Sequence, residues 1–192
     1  MTKRILVTLS VLITSAGLSC QREEPAAQAS ASTAAAAPGG VVFASDNPAI
    51  DMNGFLRLAR EAAVHRESRR VTEAEFLGMS REPGTVILDA RSREKYDLMH
   101  VRGAVNLSFP DITVESVARL IPDKGTRVLI YCNNNFTNEE TAFPSKLPAA
   151  SLNLSTYVSL YTYGYRNVYE LAPQVDPKTS ALPFESSPTA RR

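Results

Sequence analysis

Arg127-Val-Leu-Ile-Tyr-Cys132, followed by Asn133-Asn-Asn-Phe-Thr137, is the stretch on which the reading of the fold turns. A short run of β-branched and aromatic residues ends on a thiol and then on three asparagines, which are turn formers. It is too short to favour a helix and reads as a buried strand that delivers Cys132 to a loop. If a helix follows that loop, backbone N–H groups and the positive helix end converge near the sulfur and favour a thiolate and any anion beside it.

The segments on either side fit a repeating strand and helix pattern. Phe55, Leu58, Ala59, Ala62 and Ala63 fall near one face at helical spacing over residues 51–67, with Asp51 as cap. Thr72-Glu-Ala-Glu75 is a capping-box pattern that opens a second short helix, which Pro83-Gly84 closes. Thr85-Val-Ile-Leu-Asp-Ala90 reads as a strand buried on both sides, and Ser92 caps a turn of helix through Tyr96. His100 to Leu107 begins as a turn and becomes a short strand, and Val114 to Ile121 predicts a helix stopped by Pro122. Beyond the cysteine, residues 148–163 predict a helix with Gly164 as its stop, and Asn167 to Leu171 a last strand. Such alternation implies an α/β fold with a mostly parallel sheet and helices on both faces, whose ligands bind at the C-terminal ends of strands. Cys132 sits at such an end. From Pro173 onward the prolines predict an extended, partly disordered tail.

The beginning of the chain reads as an address. Lys3-Arg4 and an apolar run from Ile5 to Leu18 precede Gly17-Leu-Ser-Cys20, the organisation of an export signal over residues 1–19. That run is shorter than the roughly 20 residues needed to span a bilayer. A cysteine just after it is similar to a bacterial lipoprotein signal, which implies a lipid on Cys20 and a domain held to a membrane on its periplasmic side; ordinary secretion is the alternative. Residues 20–47 are rich in Ala, Ser, Gln and Pro and form a tether with a mean reach on the order of 25 Å. A domain is then expected over residues 48–175, including an insertion at 138–148, with a tail at 176–192.

Charge and cysteine count narrow the function further. The 192 residues carry a formal net charge of +1, and removing residues 1–19 takes away Lys3 and Arg4, leaving 19 basic against 20 acidic side chains. Such a balance offers nothing to nucleic acid. Cys20 and Cys132 belong to no CxxC pair and no Cys/His cluster, so a metal site is not expected.

Leu88-Asp-Ala-Arg91, Tyr96, His100-Val-Arg-Gly-Ala-Val-Asn106, Val128-Leu-Ile-Tyr-Cys132 and Tyr163-Gly-Tyr-Arg-Asn-Val-Tyr-Glu-Leu171 together resemble a rhodanese (sulfurtransferase) domain, in the right order over residues 70 to about 172. The resemblance implies that Cys132 carries sulfur as a persulfide in a loop of N–H groups formed by Asn133, Asn134, Asn135, Phe136, Thr137 and Asn138. It also implies a sulfane sulfur donor, a thiol or cyanide acceptor or a protein partner, and no cofactor. Asp89 and Arg91 match the family's DxR pair and are expected to brace the loop. His100 is expected to brace its turn, and Asn106 to hydrogen-bond in it. The loop departs from the family's Cys-x-x-Gly-x-Arg/Ser: Asn135 stands at the glycine position, where it tolerates left-handed angles, Thr137 ends the loop, and no arginine is present. The insertion is expected either to act as a lid over Cys132, with Lys146 as a substitute cation, or to be a surface excursion without a role. A catalytically weak module that binds a partner or senses persulfide and oxidants is the alternative. A phosphatase or arsenate reductase of the same fold needs a Cys-x5-Arg loop, which Asn138 lacks.

Overall fold

The computed structural model describes residues 47–187. The export signal, Cys20 and the tether up to residue 46 lie outside the described residues, as do residues 188–192.

The chain runs α1 (Met52–Glu67), β1 (Arg70–Val71), α2 (Glu73–Ser80), β2 (Val86–Asp89), α3 (Arg93–Leu98), β3 (His100–Val101), β4 (Val105–Asn106), α4 (Val114–Leu120), β5 (Val128–Tyr131), α5 (Leu152–Thr162), β6 (Val168–Leu171) and β7 (Phe184–Glu185). Five strands form a parallel sheet in the order β1-β6-β5-β2-β4, with β5 in the middle. All four residues of β5 are buried, which is why the stretch is continuously apolar. Its pleat divides the core into two layers. Val128 and Ile130 join Leu88, Val117, Tyr157 and Leu160 beneath α1, α4 and α5. Leu129 and Tyr131 join Ile87, Phe76, Phe136 and Phe143 on the other face. The helices on both faces and the parallel register confirm the α/β class expected from the alternation.

Local chemistry sets the helix starts. Thr72 and Glu75 close the anticipated capping box, and Asp51 Oδ1 accepts from the Gly54 amide at 2.8 Å, each satisfying donors that the first helical turn leaves free. α1 lies on α5: His65 Nδ1 meets the Tyr157 hydroxyl at 2.8 Å, and Ala62 is buried in the upper core layer.

The structure revises three expectations. The helix expected from residue 148 begins at Leu152, because Pro148–Ala150 forms a 3-10 turn and Ser151 becomes the residue ahead of α5. His100 to Asn106 supplies two strands rather than one, separated by a turn in which Gly103 takes φ +81°. The C-terminal stretch packs against the domain as far as Ser187: β7 pairs antiparallel with β3, Leu182 is buried, and the Ser187 amide donates to Asp97 O at 2.9 Å. Its prolines break regular structure without preventing Leu182 and Phe184 from burying apolar surface.

Candidate active site

Because β5 is the central strand and parallel to its neighbours, Cys132 emerges at the carboxyl edge of the sheet, beside the start of α5. It is almost fully buried, at 2% exposure. Its Sγ lies 3.2 Å from the Ser151 hydroxyl, a group that can donate to sulfur in either a thiolate or a persulfide. The thiol lines a cleft of about 350 Å³ with Arg66, Asn135, Ser151, Asn153 and Glu170.

The asparagine loop folds as a 3-10 turn, Asn133–Asn135, with Cys132 and Asn135 closing a capping box. Asn135 is the hub of this turn. Its Oδ1 accepts from the Cys132 amide at 2.9 Å and from Asn153 Nδ2 at 3.0 Å. Its Nδ2 donates to Leu171 O and Pro173 O at 2.8 and 3.2 Å. The expected left-handed residue is therefore displaced: Asn138 takes φ 59°, not Asn135, and Asn138 Nδ2 donates to Asp176 Oδ2. The expected wrap of N–H groups is also cut short. The Phe136 amide donates to Asn133 O and the Thr137 amide to Val175 O, since the segment after the turn bridges to Val175 as a strand would. Phe136 points into the core, 4.2 Å from the Phe143 ring.

Asp89 and Arg91 form a buried pair, 0% and 1% exposed. Arg91 Nη2 reaches Asp89 Oδ2 at 2.6 Å, and Tyr131 donates its hydroxyl to the same oxygen at 2.6 Å. Burial, followed by the charge on Asp89, holds the Tyr131 hydroxyl well above its ordinary pKa. Arg91 also donates to Ala142 O at 2.8 Å and to Met99 O at 2.7 Å. It thereby fastens the inserted segment and the start of β3 to the end of β2. Ala142 and Phe143 are buried, so the insertion is anchored to the core and is not a free lid. Lys146 does not enter the Cys132 cleft: it lines a neighbouring groove with Arg91, Lys95 and Asn133, and its backbone is clasped by the Asn134 side chain at 2.7 and 3.2 Å. His100 lies away from the cleft, stacked 3.7 Å from the Tyr96 ring, with Nδ1 2.7 Å from Tyr96 O. Asn106 donates to the Asp89 and Arg91 carbonyls.

The polar lining residues not expected from the sequence are Arg66, Ser151, Asn153, Glu170 and Gln174. Arg66 comes from α1, and its Nε and Nη2 each lie 2.5 Å from a Glu170 carboxylate oxygen. That hydrogen bond raises the Arg66 pKa above its ordinary value. A signal was present, because Glu170 interrupts the apolar run Val168-Tyr-Glu-Leu171, and a charge inside a buried strand requires a partner.

Residues 72–172 match the rhodanese-like domain family, and the chain belongs to it. The thiosulfate sulfurtransferase PspE of Escherichia coli (strain K12) is 39% identical over 46 residues, which cover 24% of this chain and 43% of that protein. The chain thus matches under half the length of this curated relative. A solved rhodanese with anions from E. coli is 27% identical and covers 53% of this chain and 98% of its own, with a TM-score of 0.37. The thiosulfate sulfurtransferase from Pseudomonas aeruginosa is 24% identical over 62% of this chain and 20% of its own, with a TM-score of 0.40. Arg66 lies outside the residues matched to the family.

Proposed function

We propose that this rhodanese-like protein is a sulfurtransferase and persulfide carrier in which Cys132 is the catalytic residue. The observation that carries the reading is the position of Cys132, just past the end of the central parallel strand, in a cleft, next to the start of a helix and the Ser151 hydroxyl. The Cys132 thiolate attacks the outer sulfur of a donor such as thiosulfate. An S–S bond forms at Sγ, the donor's own S–S bond breaks, and sulfite leaves with the electron pair. The thiolate of an acceptor then attacks the outer sulfur of the Cys132 persulfide and returns Cys132 as thiolate. No cofactor takes part in either step. Ser151 donates to the anionic sulfur, and the turn at Asn133–Asn135 holds the thiol at the cleft.

The lipoprotein-type signal supports a location in the bacterial cell envelope, with the domain tethered through a lipid on Cys20 and facing the periplasm. Release as a soluble secreted protein is the alternative. The near-complete burial of Cys132 and the N–H groups that Asn135, Phe136 and Thr137 commit within the fold favour one second reading, a catalytically weak module that binds a partner or senses persulfide. Thiosulfate with cyanide as acceptor separates the two. Turnover that disappears in Cys132→Ser supports the enzyme, and a folded protein inactive with every sulfane donor refutes it.

A further inference from the structure

Arg66 and Leu154 line the Cys132 cleft, and the same two side chains line a groove of about 380 Å³ between α1 and α5. The two hollows meet at these side chains, and Pro148 in the cleft is followed directly by Ala149 in the groove. Their chemistry differs. Phe55 and Ala59 on α1, Leu154, Tyr157 and Val158 on α5, and Phe109 ahead of α4 make the groove apolar. Phe55 is left 54% exposed. α1 lies outside residues 72–172, which match the family, so one wall of the groove is built by a segment beyond that match.

Charge and size define what fits. Arg66 is the charged residue of the groove lining, and Arg66 with Glu170 makes up the charge of the cleft lining. That pair is closed on itself, with Nε and Nη2 of Arg66 each 2.5 Å from a Glu170 oxygen. A charged ligand group would lose its hydration here without gaining a counter-charge, whereas an uncharged apolar body gains by leaving water. Cys132 is 2% exposed, which admits a slender thiol and keeps out one fixed on a globular surface. The groove volume falls in the range of small-molecule pockets. It is more than twice the roughly 150 Å³ of an apolar cavity that takes up benzene, enough for a short alkyl chain or a phenyl ring.

We propose that the acceptor is a low-molecular-weight thiol with an uncharged alkyl or aralkyl body, which lies in the groove between α1 and α5 while its sulfur enters the cleft at Cys132. This rests on the sulfurtransferase reading and names the substrate class of that site. In the step, the acceptor sulfur bonds to the outer sulfur of the Cys132 persulfide, and the bond from that outer sulfur to Sγ breaks. The electron pair stays on Cys132, and the acceptor's thiol proton ends on the transferred sulfur. The acceptor sulfur is oxidised and Cys132 is reduced, so no further reagent is needed.

The test loads the full-length protein with sulfur from inorganic polysulfide, then adds ethanethiol, 1-butanethiol, 2-phenylethanethiol or cysteine, with rates corrected for thiolate fraction. Burying one methylene is worth about fourfold, so 1-butanethiol and 2-phenylethanethiol each lead ethanethiol by about tenfold or more, and cysteine does not exceed ethanethiol. Ala59→Leu and Ala63→Leu each put a larger side chain into the groove on a helix that favours leucine. Each lowers the ratio of 1-butanethiol to ethanethiol by about threefold or more. Equal corrected rates along the series, which a groove filled by another segment or by a second copy of the chain would give, overturn the proposal. So does a ratio that neither leucine changes; sulfur loading of Cys132 then leaves the sulfurtransferase reading standing. A binding readout needs no sulfur transfer: butyl methyl sulfide slows alkylation of Cys132 by iodoacetamide, and ethyl methyl sulfide at the same concentration does so far less. Protection without sulfur loading upholds the groove and refutes the sulfurtransferase reading; absence of protection refutes the groove.

Discussion

Replacing Arg91 by methionine keeps a long apolar side chain and deletes every polar contact the guanidinium makes. Asp89, fully buried, retains the Arg91 backbone amide and the Tyr131 hydroxyl and loses its cation. The carbonyls of Ala142 and Met99 lose their donors. Stranding one member of a buried pair costs about 3 to 5 kcal/mol, a large share of the roughly 5 to 15 kcal/mol that holds a domain folded. Urea unfolding followed by circular dichroism should show Arg91→Met at the edge of stability. The double variant Asp89→Asn, Arg91→Met removes the stranded charge and should recover about 2 kcal/mol of that loss. A single variant that loses less than about 1 kcal/mol, or a double variant no more stable than the single, would refute the assignment of this pair as the brace of the site.

His65 carries the acid sensitivity of the α1 contact. Burial, then Arg69 and Arg166, lower its pKa from 6.5. It is ringed by those arginines and by Tyr157 and Tyr161, and burial raises the Tyr157 hydroxyl to about 12. The unfolded chain takes up a proton that the folded one resists, so this stability is intact above 6.5 and is lost as pH falls below it. Between about pH 7.5 and about pH 5.5 the urea midpoint of the unmodified protein should drop more steeply than that of His65→Gln; parallel curves contradict this. Ser151→Ala should slow sulfur loading of Cys132 by about three- to tenfold, the worth of one hydrogen bond, with the unfolding midpoint nearly unchanged. An unaltered loading rate removes Ser151 from the mechanism.

Much of the fold was legible because local and global signals agree. Val128 to Tyr131 is apolar throughout since both faces of β5 are covered, and the Thr72–Glu75 capping box is self-contained in four residues. Cys132, Asp89 and Arg91 were found by the motifs around them. What escaped depends on packing between distant segments. Arg66 meets Glu170 across 104 positions, and nothing in α1 alone announces the pairing. At position 135 an asparagine in place of glycine suggests backbone freedom, whereas its carboxamide fastens the loop to Cys132, Asn153 and the end of β6. Charge alone makes Lys146 a candidate cation for the site, but its placement is decided by the Asn134 clasp and by Phe143, which is buried in the core layer with Leu129 and Tyr131.

A sulfurtransferase of this kind stands or falls with sulfur bound to Cys132. Intact mass of the protein, taken after exposure to thiosulfate or polysulfide and again after a reductant, tests it directly. The expected result is a gain of one sulfur atom, mapped to Cys132, removed by the reductant and absent in Cys132→Ser. A folded protein whose mass never changes, or a gain that persists in Cys132→Ser, would contradict it.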